Sequence, residues 1–260
     1  MSDQLSAGAT NLSRIEPTLV GSFYAALFPL SIGYERLAKI ALQVDARLRT
    51  GEFLTTREMR DVGHKIDSLF TQVEGIAARR GYTGVKYERP TDVITSAITV
   101  ILTEFAVTGR YNHLDSLGNP GNVSASAEKQ WDEQVMLPIA ARHLTSRAEQ
   151  RIAAHAAAID SAFSETEDIG AVAFHHDVNG AFHTGPASMY MRSALYEKLI
   201  PYARMYAFRP GRWLAYTVDR LATDAMSSPN TMGHVPYLIE FFPWLQAPDN
   251  YFRSRRHPGK

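Results

Sequence analysis

The sequence predicts a mainly α fold, a multi-helix bundle in the first half with additional C-terminal helices. Three observations predict it. Apolar residues recur at spacings of three and four in three separate stretches, which places each set on one helix face. No stretch shows sustained period-two alternation, the mark of a half-buried strand. The second half carries a run of strong helix formers, Ala153, Ala154, Ala156, Ala157 and Ala158.

The first predicted helix carries Leu30, Tyr34, Leu37, Ala41, Val44 and Leu48 on one stripe. Pro29 either starts it or kinks a longer helix that begins near Pro17. Ser31 and Gly33 are small enough to let a second helix approach closely. Three charges, Glu35, Arg36 and Lys39, sit within this apolar stretch but fall off the stripe. Glu35 and Lys39 are four apart with the acid first, the favourable order for a surface pair. Two readings follow: a solvated face, or a buried cluster in which Glu35 with Lys39 or Arg36 meets the His64 end of the next helix. A buried charge persists only when paired, so the second reading would make these residues a register element or a binding site.

Thr55 followed by Glu58 reads as a capping box that opens a second helical segment. Gly63 weakens or restarts it. Ile66, Leu69, Phe70, Val73, Ile76 and Ala77 then form an amphipathic face, which Gly81 ends. A third helix buries Ile94, Ala97, Ile98, Ile101, Leu102 and Phe105 and stops at Gly109. The turn-rich segment 110–122 marks the boundary between halves. Beyond it a long helix runs from about Ser126 to Phe163, kinked at Pro138. Residues 164–186 lack a period and read as mostly irregular. Helices resume over 187–208, with a break at Pro201, and over 211–227. The resulting organisation is a bundle over 14–117, a helical region over 126–246 packed on it, and flexible tails at 1–13 and 247–260.

The composition narrows the function classes. The chain has 260 residues, 45% hydrophobic and 21% charged, which is enough for a sizeable packed core. Lys plus Arg equals Asp plus Glu at 27 each, so a general polyanion binder is disfavoured while a local basic face remains open. The absence of cysteine excludes disulfides, thiol nucleophiles and cysteine-based zinc sites, and it fits a cytoplasmic protein. The polar N-terminus lacks the apolar run of a signal peptide. The apolar stretch 97–107 is interrupted by Thr103 and Glu104 and is too short to span a bilayer, so no membrane partner is expected. There is no P-loop, no dinucleotide fingerprint and no Gly-x-Ser-x-Gly elbow, and no cofactor is expected.

Three segments carry a family likeness: "ALFPLSIGYERLAKIAL" (26–42), "GHKIDSLF" (63–70) and "FAVTGRYNHLDSL" (105–117). Their order resembles that of the HEPN-like helical superfamily, in the broad set related to abortive-infection proteins. The pattern is a small-Gly-x-Glu-Arg-Leu helix, a Gly-His at the head of the next helix, and an Arg-Tyr after the third. The resemblance covers the first half. It implies a helical bundle that often forms a homodimer, with members that cleave RNA in defence and others that have lost the activity. Cleaving members carry Arg, four to six residues, then His. Arg57 and His64 match that spacing with six residues between them, but His64 falls where the likeness aligns a non-catalytic Gly-His. Arg151–His155 and Arg110–His113 are spaced too closely. The chemistry needs an Arg to hold the scissile phosphate and a His to move a proton. Arg57 and His64 could supply both, provided Gly63 does not break their shared helix face.

Two further patterns are candidates. His143, Arg147, Arg151 and His155 are spaced by four and form a basic stripe that can track phosphates, or a solvated face answered by Glu149 and Asp160. His175, His176, Asp177 and His183 are metal-ligand types, but no established ligand spacing joins them and no metal is expected. The sequence therefore predicts a non-catalytic or degenerate HEPN-like protein acting through RNA or protein contacts. The alternative is a metal-independent ribonuclease using Arg57 and His64. The apolar segment 235–245 either docks back on the bundle or meets a second chain.

Overall fold

The structure, a computed structural model, describes residues 1–109, 126–164, 175–176, 182–183, 185–229 and 231–259. The fold is mainly helical. Its first helix, α1 (Ser2–Leu12), lies in a segment expected to be a flexible tail. Leu5, Ala9 and Leu12 follow one stripe and are fully buried against α2 (Val20–Thr50). The two helices approach closely because each offers a glycine to the other's leucine: Gly8 faces Leu30, and Gly33 faces Leu5. The small residues predicted for close packing at Ser31 and Gly33 are both buried, and α1 is the helix that uses Gly33.

Of the two readings of Pro29, the longer helix is the one observed: α2 begins at Val20, close to Pro17, and continues through Pro29. A proline at this position removes one helical N–H and orphans the carbonyl four residues back. Here that carbonyl, on Ala25, accepts a hydrogen bond from Asn11 Nδ2 at 2.7 Å. The predicted stripe from Leu30 to Val44 is buried, and Leu48 is partly so.

Thr55 caps α3 (Thr56–Asp61) through the expected capping box with Glu58. Gly63, at φ +77°, then breaks the helix before α4 (Ile66–Arg79). All six apolar positions predicted for α4 are buried. Its C-terminus closes as foreseen on Gly81: the Tyr82 N–H reaches the Ala77 carbonyl and the Gly81 N–H that of Ala78, the paired bonds of a Schellman motif. Asp92 caps α5 (Val93–Glu104), which continues into a π-helical turn over Phe105–Gly109. The predicted boundary segment 110–122, with Arg110 and His113, lies outside the described residues.

The long helix predicted for 126–163, expected to kink at Pro138, is instead broken further on. It comprises α6 (Ala127–Trp131), a π-helical stretch over Asp132–Met136, α7 (Leu137–His143) and α8 (Ser146–Ser164). Pro138 lies just past the π-helical stretch, inside a run that stays helical from Ala127 to His143. The break falls at Leu144, in extended conformation, and Thr145, whose hydroxyl accepts from the Ala148 N–H at 3.3 Å. In the segment expected to be irregular, β1 (His175–His176) pairs antiparallel with β2 (Phe182–His183).

The predicted break at Pro201 is also overturned. One helix, α9 (Pro186–Ser227), runs through both Pro201 and Pro210. Pro210 orphans the Tyr206 carbonyl, which the buried Thr95 hydroxyl of α5 reaches at 3.4 Å. Apolar residues cover α9 on several faces, from Tyr196 to Ala225. It packs against α2, α4 and α5 as well as α7 and α8, so the two predicted regions share a core that runs from Leu5 to Phe252.

The C-terminal segment docks back on this core. Val235, Phe242 and Leu245 are buried, while Tyr237 and Phe241 stay exposed. The last helix, α10 (Asp249–Ser254), stacks Phe252 on Phe208 at 5.1 Å. Over its described residues, 247–259, the expected tail is therefore packed: Ser6 Oγ donates to the Pro258 carbonyl at 2.8 Å and Ser13 Oγ to that of Arg256 at 3.0 Å. The termini fold onto each other because a few apolar anchors and hydroxyl donors suffice on an existing surface, although neither segment has a long amphipathic period of its own.

Candidate functional site

The charges set into the apolar stretch of α2 form a cluster. Lys39 Nζ lies 2.9 Å from Glu35 Oε1, the pair expected from their spacing. His64 Nδ1 lies 2.8 Å from the same oxygen. The left-handed turn at Gly63 brings the chain round so that His64 reaches α2 just before α4 begins. Glu35 and Lys39 are only 14% and 17% exposed, whereas His64 is 66% exposed. The inward-facing alternative thus describes Glu35, Lys39 and His64, while Arg36 points to solvent.

The electrostatics follow from the geometry. Partial burial pushes the Glu35 carboxyl up, but hydrogen bonds from Lys39 and His64, with their charges, outweigh it and hold it below the usual range. Glu35 is therefore an acceptor rather than an acid at neutral pH. A carboxylate on Nδ1 fixes the tautomer of a neutral His64, with the proton on Nδ1 and the lone pair on Nε2. The cluster can orient an imidazole as a base or as a hydrogen-bonding contact.

The second member of the predicted pair is elsewhere. Arg57 is exposed on α3, on the other side of the Gly63 break. Among the described residues no hydrogen bond, ion pair or ring contact joins Arg57 to His64. The proviso for a shared helix face fails, because a glycine at φ +77° ends the helical path between them.

The basic stripe is divided too. His143 belongs to α7 and points into the protein, stacked on Tyr202 at 4.1 Å with its Nε2 2.9 Å from Tyr206 Oη. Burial, then the charges of Arg142, Arg209 and Arg253, lower its pKa, so it carries no charge at neutral pH. Arg147, Arg151 and His155 lie exposed on α8. His155 Nδ1 sits 3.0 Å from Tyr190 Oη of α9. Arg110, Asp177 and the side chains of His175, His176 and His183 are outside the described residues. Among the described residues no group of three metal-ligating side chains comes together.

Sequence reasoning missed the arginines of α9. Arg204 is 2% exposed, and Arg209 bridges Asp92 at 3.1 Å and Asp249 at 2.6 Å. The available signal was an apolar run, "YARMYAFRPGRW", with charges set into it. No helix among the described residues is long and apolar enough to cross a membrane. Comparison with family models, with curated proteins and with solved structures finds no match to this chain.

Proposed function

We propose that the chain is a non-catalytic, HEPN-like helical protein of the cytoplasm that acts through contacts with RNA or a partner protein, in defence or regulation, and works as a homodimer. The observation that carries the non-catalytic part is the Gly63 break, which leaves Arg57 and His64 off any common helix face. Phosphodiester cleavage needs the phosphate-holding cation and the proton-transfer group on one phosphate, and among the described residues no contact holds the two together. The exposed Arg147 and Arg151 of α8 supply contact points for a phosphate backbone or an acidic partner surface. Exposed Tyr237 and Phe241 leave apolar surface beside the docked C-terminal segment for a second copy.

One observation favours the ribonuclease reading: His64 is exposed and oriented by an ionised Glu35, as a general base would be. The test incubates the purified protein with structured and single-stranded RNA in the presence of EDTA. Retention of intact RNA is expected. Cleavage that disappears in His64→Ala, with the circular dichroism unchanged, would overturn the non-catalytic reading. Light scattering over a concentration range checks the dimer, and a constant mass of one chain removes it.

A further inference from the structure

Away from the Glu35 cluster, a cavity of about 510 Å³ opens between the α1–α2 connection, α9 and the C-terminal segment. Its size suits a metabolite. Four arginines line it, Arg14, Arg204, Arg253 and Arg256, against two carboxylates, Glu16 and Glu197. Four positive charges less two negative leave a formal lining charge of +2. This is an unusual concentration in a chain whose net charge is zero.

Arg204 is the fixed member. It is 2% exposed, and among the described residues its hydrogen-bond partners are all neutral. Its Nε–H donates to the Phe252 carbonyl, one Nη1–H to Ser13 Oγ, and one Nη2–H to the Arg253 carbonyl at 2.8 Å. A guanidinium has five N–H donors, so three are engaged and two remain. Its position at the end of α10 explains the carbonyl contacts, since a cation there satisfies terminal carbonyls. That structural role does not account for the three other arginines around the same cavity, nor for a buried charge facing neutral acceptors only. Burial, and then Arg256, lower the Arg204 pKa to about 10, so the group stays charged at neutral pH and the cavity stays positive.

The remaining lining supplies polar contacts. Glu16 is occupied by Ser193 Oγ at 2.8 Å and so is held in place by a neutral hydroxyl. Glu197 and Pro201 also line the cavity, and the proline, lacking an N–H, cannot donate to the Glu197 carbonyl one turn back. Tyr190 contributes an aromatic wall tied to His155.

We propose that this cavity binds a small phosphomonoester, its phosphate held by Arg204 together with Arg14, Arg253 and Arg256. A phosphomonoester carries close to two negative charges at neutral pH, which matches the lining charge, whereas a monocarboxylate would leave half of it uncompensated. The two open N–H groups of a pre-positioned guanidinium fork suit two phosphate oxygens. The ester side would lie along Tyr190 and the Glu197 carbonyl.

The test uses the full chain and three probes, inorganic phosphate, glucose 6-phosphate and AMP, with glucose and adenosine as dephosphorylated controls at equal ionic strength. Thermal shift and titration calorimetry at millimolar concentration should show binding of at least one phosphate-bearing probe and of neither control. Arg204→Met risks the fold because Arg204 anchors α10, so the deciding variant is Arg14→Gln/Arg256→Gln, both exposed positions. It should weaken binding by about tenfold or more while the melting temperature without probe is unchanged. Arg147→Gln/Arg151→Gln on α8 should bind as the parent does. The proposal is overturned if no phosphate-bearing probe binds, if glucose or adenosine binds as well as its ester, if the cavity variant binds as the parent does, or if the α8 variant weakens binding equally.

Discussion

The docking of α1 on α2 makes a quantitative prediction through one glycine and one leucine. A Cβ on Gly33 would lie 2.6 Å from both Cγ and Cδ2 of Leu5 and 3.3 Å from its backbone nitrogen. Leu5 is fully buried, so its branch point cannot simply swing away. Gly33→Ala should incur about 1–3 kcal/mol of overpacking, offset by about 1 kcal/mol of helix propensity gained at a mid-helix glycine. The net loss is at most about 2 kcal/mol, or roughly 4–8 °C in melting temperature at about 2–4 °C per kcal/mol. Leu5→Ala should cost about 2–5 kcal/mol through the cavity it leaves. In that background the two side-chain atoms at 2.6 Å are gone and only the backbone nitrogen at 3.3 Å remains close, so Gly33→Ala should turn stabilising, by up to about 1 kcal/mol. The sign reversal is the signature, with a coupling of about 1–3 kcal/mol between the sites. Urea unfolding of the four proteins, followed by far-ultraviolet circular dichroism, measures it. A coupling below about 0.5 kcal/mol would refute the interlocked packing, and a Leu5→Ala protein as stable as the parent would return the N-terminal segment to a tail.

Two further predictions test the polar contacts that hold the helices. Thr95→Val keeps the shape of a fully buried side chain but removes the donor to the Tyr206 carbonyl orphaned by Pro210, so it should cost about 1–3 kcal/mol in chemical denaturation. Pro210→Ala restores a helical N–H and should recover part of that loss in the Thr95→Val background; a neutral Thr95→Val would show that the carbonyl does not depend on this hydroxyl. Glu35 titrates below its ordinary value when folded, so its stabilising contribution is full above that value, about 4.3, and is lost as pH falls through the folded one. The stability difference between the parent and Glu35→Gln, of order 1 kcal/mol for a partly exposed cluster, should therefore shrink as pH falls below about 5; a difference that stays constant on acidification would contradict the pinned carboxylate.

What was legible in the sequence was what neighbours in the chain decide. The six-residue face of α4, the Thr55–Glu58 box and the Gly81 stop depend on spacings of three to five residues, and all three are present. The helix that runs through Pro210 was not legible, and at Pro29 two readings stayed open, because the donors that serve the orphaned carbonyls come from Asn11 and Thr95, 14 and 111 residues away. A local rule that prolines end helices is sound until a distant side chain supplies the missing donor. The termini escaped for a related reason. Leu5, Ala9 and Leu12 make a weak stripe among Ser, Thr and Gly, and only the matching surface of α2 makes it a core helix.

The candidate sites carry the same lesson in sharper form. The basic stripe from His143 to His155 was drawn by period across a helix break at Leu144–Thr145, and its first member faces a pair of tyrosines. The charges that the fold holds in place are instead those lodged in apolar runs: Glu35 within the buried length of α2, and Arg204 between Ala203 and Met205 in α9. The physical reason is the cost of removing a charge from water. A periodic charged stripe on an exposed face is compatible with any sequence that stays soluble, so it specifies little. A charge kept at a buried position must be answered by specific partners, and those partners fix its geometry. For Glu35 the partners are both visible, Lys39 and His64, and the cluster is complete. For Arg204 they are neutral acceptors that hold the guanidinium without cancelling its charge, and the positive cavity beside it is where that remaining charge is expressed.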